Sequence, residues 1–185
     1  MKHHKKLKNE ELNRISIEGF KKQDKIPVTI VLDNVRSLNN IGSVFRTSDA
    51  LGVERILLCG ITANPPHPEI YKTALGAENS VSWQSFHQTI EAINELHNEG
   101  YRVIAVEQTL GCIDLREFNP DIDAKFAFVF GNEMKGVDQE VINICDDVIE
   151  IPQFGTKHSF NISVTVGIVL WDYFTKYYQS KKEGI

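Results

Sequence analysis

From residue 26 onward, short unbroken apolar runs alternate with segments of helical period. The runs 28–32, 55–59, 101–106, 125–130 and 148–151 predict strands. Apolar residues recur at helical spacing over 40–51, 69–75, 88–98 and 138–145, and a long final helix is expected over 161–178. Gly52 and Gly100 supply stops, and the three prolines within 62–68 demand a loop. Strands that are apolar without alternation are expected where both faces are covered. The pattern therefore predicts an α/β domain with a mainly parallel sheet flanked by helices.

Two segments depart from this rhythm. Residues 7–22 read as an amphipathic helix with Leu7, Leu12, Ile15 and Phe20 on one side. The final helix carries Ile162, Val164, Val166, Ile168, Val169, Leu170 and Trp171 in nearly every direction. A helix apolar all round must be covered on all sides. A second subunit is the expected extra cover, which predicts a homodimer.

At 185 residues the chain can bury a sizeable core. It is expected to form one domain over 26–185 behind a basic arm at 1–25. No apolar run nears the ~18 residues of a membrane span, and the start MKHHKKLKNEE lacks the apolar stretch of a secretory signal. Three separated cysteines, Cys59, Cys112 and Cys145, suit a reducing cytoplasm rather than a disulfide framework or a Cys-rich zinc site. His67 and His158 have no ligand-spaced partners, so no metal is expected. The net charge is −5, yet the first 25 residues hold eight Lys/Arg against four Asp/Glu, leaving −9 for the rest. A basic arm on an acidic body is compatible with a polyanion partner, though charge alone favours a solvated, partly frayed N-terminal helix.

In parallel sheets ligands sit beyond the carboxyl ends of the strands. That selects the loops 33–46, 108–113, 131–136 and 152–163. The first contains Asn40-x-Gly42-x-x-x-Arg46. Asn40 is expected as an N-cap, and Gly42 lets a backbone or ligand come close. Arg46 shares a helix face with Gly42 and could hold a phosphate, or could be a surface arginine. The second is Gly131-Asn132-Glu133-x-x-Gly136 directly after a strand, without P-loop spacing; a plain strand-to-helix turn explains it as well. The third runs Ile151-Pro152-x-x-Gly155-x-x-x-Ser159-x-Asn161-x-Ser163. Ser159 and Asn161 could be helix caps, beside a pocket for a ligand with an apolar body and polar edges.

Taken in this order, the three motifs resemble the SpoU-type tRNA/rRNA 2′-O-methyltransferases of the SPOUT superfamily, over residues 27–175. The 72–78 stretch KTALGAE is similar to members of this family too. The resemblance implies a deep C-terminal trefoil knot, S-adenosyl-L-methionine bent within it, and a dimer with the active site at the subunit interface. It implies that Gly131, Ile151 and Phe160 contact the cofactor and that Asn40, Arg46, Glu133, Ser159 and Asn161 shape the catalytic pocket. Phe160 departs from the leucine of many relatives but keeps an apolar wall. The implied reaction is methyl transfer to an RNA ribose 2′-hydroxyl, with tRNA ahead of rRNA because only about 25 residues precede the first strand. The alternative is a non-catalytic RNA-binding or assembly factor of the same fold.

Overall fold

The computed structural model describes residues 4–183. Seven strands, β1 (Ile26–Asp33), β2 (Val53–Cys59), β3 (Ser82–Phe86), β4 (Tyr101–Val106), β5 (Ile113–Asp114), β6 (Lys125–Phe130) and β7 (Asp147–Glu150), form one sheet. Its order is β3-β2-β1-β6-β4-β7-β5, and every pairing is parallel. The helices are α1 (Ile17–Lys22), α2 (Leu38–Leu51), α3 (Pro68–Ala74), α4 (Thr89–Asn98), α5 (Gln139–Ile142) and α6 (Ile162–Glu183).

The unbroken strands follow from two cores. Ile30, Leu32, Phe126, Phe128 and Phe130 pack on the side of α2, α3 and α6. Val31, Ala127 and Val129 pack on the side of α4 and α5. Successive residues point to opposite faces, so a strand buried on both faces needs an apolar residue at every position. Large rings fill one side: Phe126 and Phe128 meet Tyr173 of α6 edge-on, with centroids 5.7 and 5.8 Å apart.

Several expectations change. Residues 7–22 do not form one helix. A 3-10 turn over Asn9–Leu12 ends at Asn13 in the left-handed region, φ 47°, and α1 restarts behind Ser16, whose Oγ accepts from Gly19 N. Asparagine tolerates that conformation, which stops a helix. Of the expected apolar face only Phe20 is buried; Leu7, Leu12 and Ile15 are exposed. Strands β3 and β5 carry no apolar run: β3 is a solvent-facing edge and β5 has two residues. Helix α5 is shorter than 138–145 because the chain tightens into i→i+3 turns at Ile144 and Cys145 before β7. Among the described residues no helix is long and apolar enough to cross a membrane.

The chain steps outward from β1 to β3, crosses back to β4, and only later fills the slot between β1 and β4 with β6. The strand order thus reverses beside β1. The carboxyl ends of β4, β6 and β7 come together at that reversal.

Candidate active site

A cavity of about 540 Å³ opens at those strand ends, closed by the first turn of α6. Gly131, Glu133, Ile151, Ser159, Phe160 and Asn161 all line it, so the second and third motifs meet at one place. Asn40 joins them through hydrogen bonds, whereas Arg46 does not line this cavity.

The second motif is a tight hairpin. Asn132 and Gly136 exchange backbone hydrogen bonds of 2.9 and 2.8 Å, and Asn132 Oδ1 accepts from Met134 N and Lys135 N. A methyl group on Gly131 would overlap Gly136 C and Val137 N, so no side chain is tolerated where the strand meets its return. Gly136 adopts φ +71°, a conformation that favours glycine.

Glu133 leaves this hairpin and reaches the start of α2. Its carboxylate accepts from Arg36 N at 3.0 Å, Ser37 N at 2.9 Å and Asn40 Nδ2 at 3.0 Å. Partial desolvation pushes its pKa up, but the combined donors, Arg36 N–H first among them, hold the carboxyl below its ordinary value. An ionised acceptor so engaged is a latch rather than a proton donor.

The expected cap is corrected here. Ser37, not Asn40, caps α2, its Oγ accepting from Asn40 N. The helix therefore begins earlier, and the Asn40 side chain is released for longer-range work. It donates to Glu133, and its Oδ1 accepts from Asn161 Nδ2 at 3.2 Å. Asn161 in turn accepts from Ser163 N at 2.9 Å and Ser163 Oγ at 2.7 Å, which caps α6. One polar chain, Glu133–Asn40–Asn161–Ser163, ties all three motifs together. Gly42 serves a different end: a methyl there would strike Thr73 Oγ1 and Ile70 O, so this glycine seats α2 against α3.

Sequence reasoning singled out neither Glu107 nor Asp33. Glu107 follows β4 directly; its two oxygens accept from Gln108 N and Val137 N, both at 2.9 Å. It thereby fixes the returning arm of the Gly131 hairpin. The next residue, Gln108, donates to His158 O at 2.9 Å and holds the loop before Ser159. Asp33, buried at the end of β1, accepts from Thr89 Oγ1, Asn34 Nδ2 and Asp138 N. An acid closing an apolar strand is the signal that could have found both. Glu150, at the end of β7, adds a third carboxylate to the cavity wall.

The wall combines apolar surface from Phe130, Ile151 and Phe160 with backbone polar groups and carboxylates. It suits a small ligand with a flat apolar part and a positive part. Among the described residues no group of three or more His, Cys, Asp or Glu could hold a metal ion.

Arg46 lies eight residues into α2, exposed, in a second groove of about 830 Å³. That groove runs between the arm (Leu12, Arg14, Ile17) and the α6 residues Phe174 and Tyr178. Along α6, Val164, Trp171 and Tyr178 are exposed to solvent, with Trp171 stacked on Phe174 at 5.7 Å.

The SpoU rRNA Methylase family matches residues 27–171. The chain is 32% identical over 145 residues to the 23S rRNA (guanosine-2′-O-)-methyltransferase RlmB of Neisseria meningitidis serogroup B, covering 78% of this chain and 56% of that protein. The crystal structure of the A. aeolicus TrmH/SpoU tRNA modifying enzyme is similar with a TM-score of 0.77 at 25% identity, over 89% of this chain and 82% of that one. The AdoMet-bound rRNA methyltransferase of Sinorhizobium meliloti gives 0.73 at 26% identity, over 86% and 60%. The chain spans 56–66% of the length of the curated relatives it matches.

Proposed function

The chain belongs to the SpoU rRNA methylase family of the SPOUT superfamily, and from that premise we propose that it transfers a methyl group to a ribose 2′-hydroxyl of RNA. One observation carries the reading: two motifs far apart in sequence converge on a single cavity, and the Glu133–Asn40–Asn161 chain joins the start of the first motif to them.

The cavity suits S-adenosyl-L-methionine. Its volume is within the ~300–1,000 Å³ of small-molecule sites. Ile151 and Phe160 offer apolar surface to an adenine, and the glycine at 131 exposes backbone at the strand end. Glu107 and Glu150 favour a cationic ligand. When bound, the cofactor supplies an electrophilic methyl group for a ribose 2′-oxygen.

The chain's own residues hold and orient. Gly131, Ile151 and Phe160 hold the cofactor. Asn40, Glu133 and Asn161 fix the α2 and α6 termini beside it, and Ser159 faces the ribose. Arg46 fixes the neighbouring phosphate and stabilises the developing alkoxide, the hydroxyl proton passing to solvent as the oxygen takes the methyl group. A guanidinium stays protonated at neutral pH and is a poor general base.

Arg46 and the cavity are separate within one chain, so the reading includes a homodimer in which α2 and α6 of two copies meet. The exposed Trp171, Val164 and Tyr178 support this. It also includes a C-terminal knot within one domain spanning 26–185. In support, β6 enters between earlier strands, and Lys176 of α6 donates to Leu115 O and Phe118 O of the β5–β6 connector.

Transfer RNA is the first substrate to test. The similarity reaches 82% of the tRNA-modifying enzyme's chain against 60% of the rRNA methyltransferase's. The experiment pairs calorimetry with S-adenosylmethionine and mapping of 2′-O-methyl sites in tRNA and rRNA from cells lacking this chain. A bound cofactor and one missing mark are expected. No heat at millimolar ligand and an unchanged map would sink the reading in favour of a non-catalytic RNA-binding factor.

A further inference from the structure

The rim of the cavity carries side chains for which the methyl-transfer reading gives no role. Met134, on the hairpin after β6, is 80% exposed and is followed by the exposed Lys135. Phe154, between β7 and α6, is 88% exposed and lies three residues before the exposed Lys157. Both loops border the cavity: Met134 and Lys135 line it, as do Gln153 and Ser159 on either side of the Phe154 loop. Among the described residues neither lysine forms an ion pair.

A phenylalanine wholly in water gains nothing for the fold of a single chain. An exposed methionine repeats the pattern on the other loop that borders the cavity. Each is followed within three residues by a lysine, so the pattern is a flat or soft apolar surface plus one positive charge, twice. A nucleotide is its complement, with an apolar ring face and a phosphate. The cavity beneath carries more negative than positive side chains, with Glu107, Glu133 and Glu150 against Lys135 in its wall. A polyanion is therefore drawn to the rim and kept out of the interior, where a cationic ligand belongs. A protein partner would suit the continuous apolar strip on α6 better than isolated side chains spaced between lysines.

We propose that Phe154 with Lys157, faced by Met134 with Lys135, clamps an unpaired nucleotide next to the ribose being modified. A base can stack on a side chain only after leaving its own helical stack. The substrate class is therefore RNA that is single-stranded at the target, a loop or a bulge rather than a duplex. This inference rests on the proposed methyl-transfer reading of the cavity.

The test uses the full chain with two probes, bulk tRNA in filter binding and S-adenosylhomocysteine in calorimetry. Phe154→Ala should weaken tRNA binding about tenfold, the order expected for one lost stack, while Phe154→Trp retains it. Lys157→Ala should lower the salt dependence by about one phosphate contact. Affinity for S-adenosylhomocysteine and the sedimentation coefficient should not move in any of the three variants. The clamp is overturned if Phe154→Ala binds tRNA like the parent, if Phe154→Trp is as weak as the alanine variant, or if either substitution changes the oligomeric state. A parent chain that retains neither probe overturns the reading of the cavity itself, and the clamp with it.

Discussion

Helix α2 carries two of the predicted site residues, Asn40 and Arg46, and the structure treats them in opposite ways. Asn40 is held between Glu133 and Asn161 and cannot turn without breaking two hydrogen bonds. Arg46, under two turns further on, is exposed and among the described residues has no side-chain hydrogen bond or ion pair. One end of the helix is preorganised by its own chain. The other waits for something from outside. Residues that belong to one proposed reaction thus differ in what must arrive before they can act.

The largest effect should come from separating the two ends onto different chains. Arg46→Ala and Asn161→Ala should each abolish methyl transfer when alone. If the chain dimerises as proposed and the sites are shared, subunit exchange makes half of the dimers hybrids, each with one intact site. Roughly a quarter of parental activity should then return. No recovery despite proven exchange would place Arg46 in its own chain's cavity and erase the contrast.

Gly131→Ala should be the next largest. The added methyl meets backbone rather than a flexible side-chain end, so the hairpin must shift. A stability loss of about 1–3 kcal/mol in urea is expected, with cofactor affinity lost as well. Full cofactor binding in a folded variant would show that the hairpin is less rigid than its packing implies.

A smaller effect should follow from acid. Glu133 is depressed in the folded state, so its contribution is complete above the unfolded glutamate pKa. It is lost as the pH falls through the folded value. Glu133→Gln should cost about 1 kcal/mol at pH 7, discounted for exposure, and should flatten the stability curve on the acid side. An unchanged pH profile would remove Glu133 from the latch.

The smallest concerns the arm. Removal must stop before Phe20, which is buried in the core. Deleting residues 1–15 should leave the melting temperature within a few degrees and reduce the salt slope of RNA binding by about one or two contacts. Identical binding would return the arm to the role of a solvated tail.

The central strands were legible because they are buried on two faces, which leaves no polar position to blur the pattern. Strand β3 was not, because an edge strand facing water has no burial to record in its residues. Gly131, Ile151 and Asn161, from the second and third motifs, line one cavity. The first motif misread Asn40, since a cap and a cross-linking amide look alike until Ser37 is seen to take the cap. Glu107 escaped because its partners are the backbone of Gln108 and Val137, and backbone donors leave no mark in a sequence. The separation of Arg46 from the cavity is a tertiary fact that spacing along a helix could not contain.

The late insertion of β6 bears on how the chain reaches this state. Val28 pairs with Phe126, partners 98 positions apart, and β4 pairs with β6 on the other side. During synthesis β1 can meet β2 early, yet its second neighbour does not exist until about 130 residues have been made. Loops of that length close slowly, and parallel pairing rewards the chain only after closure. Until then the apolar edge of β1 stands open. Refolding from denaturant should be slow and concentration-sensitive, with the cavity, built on the last strands to dock, the final feature to appear.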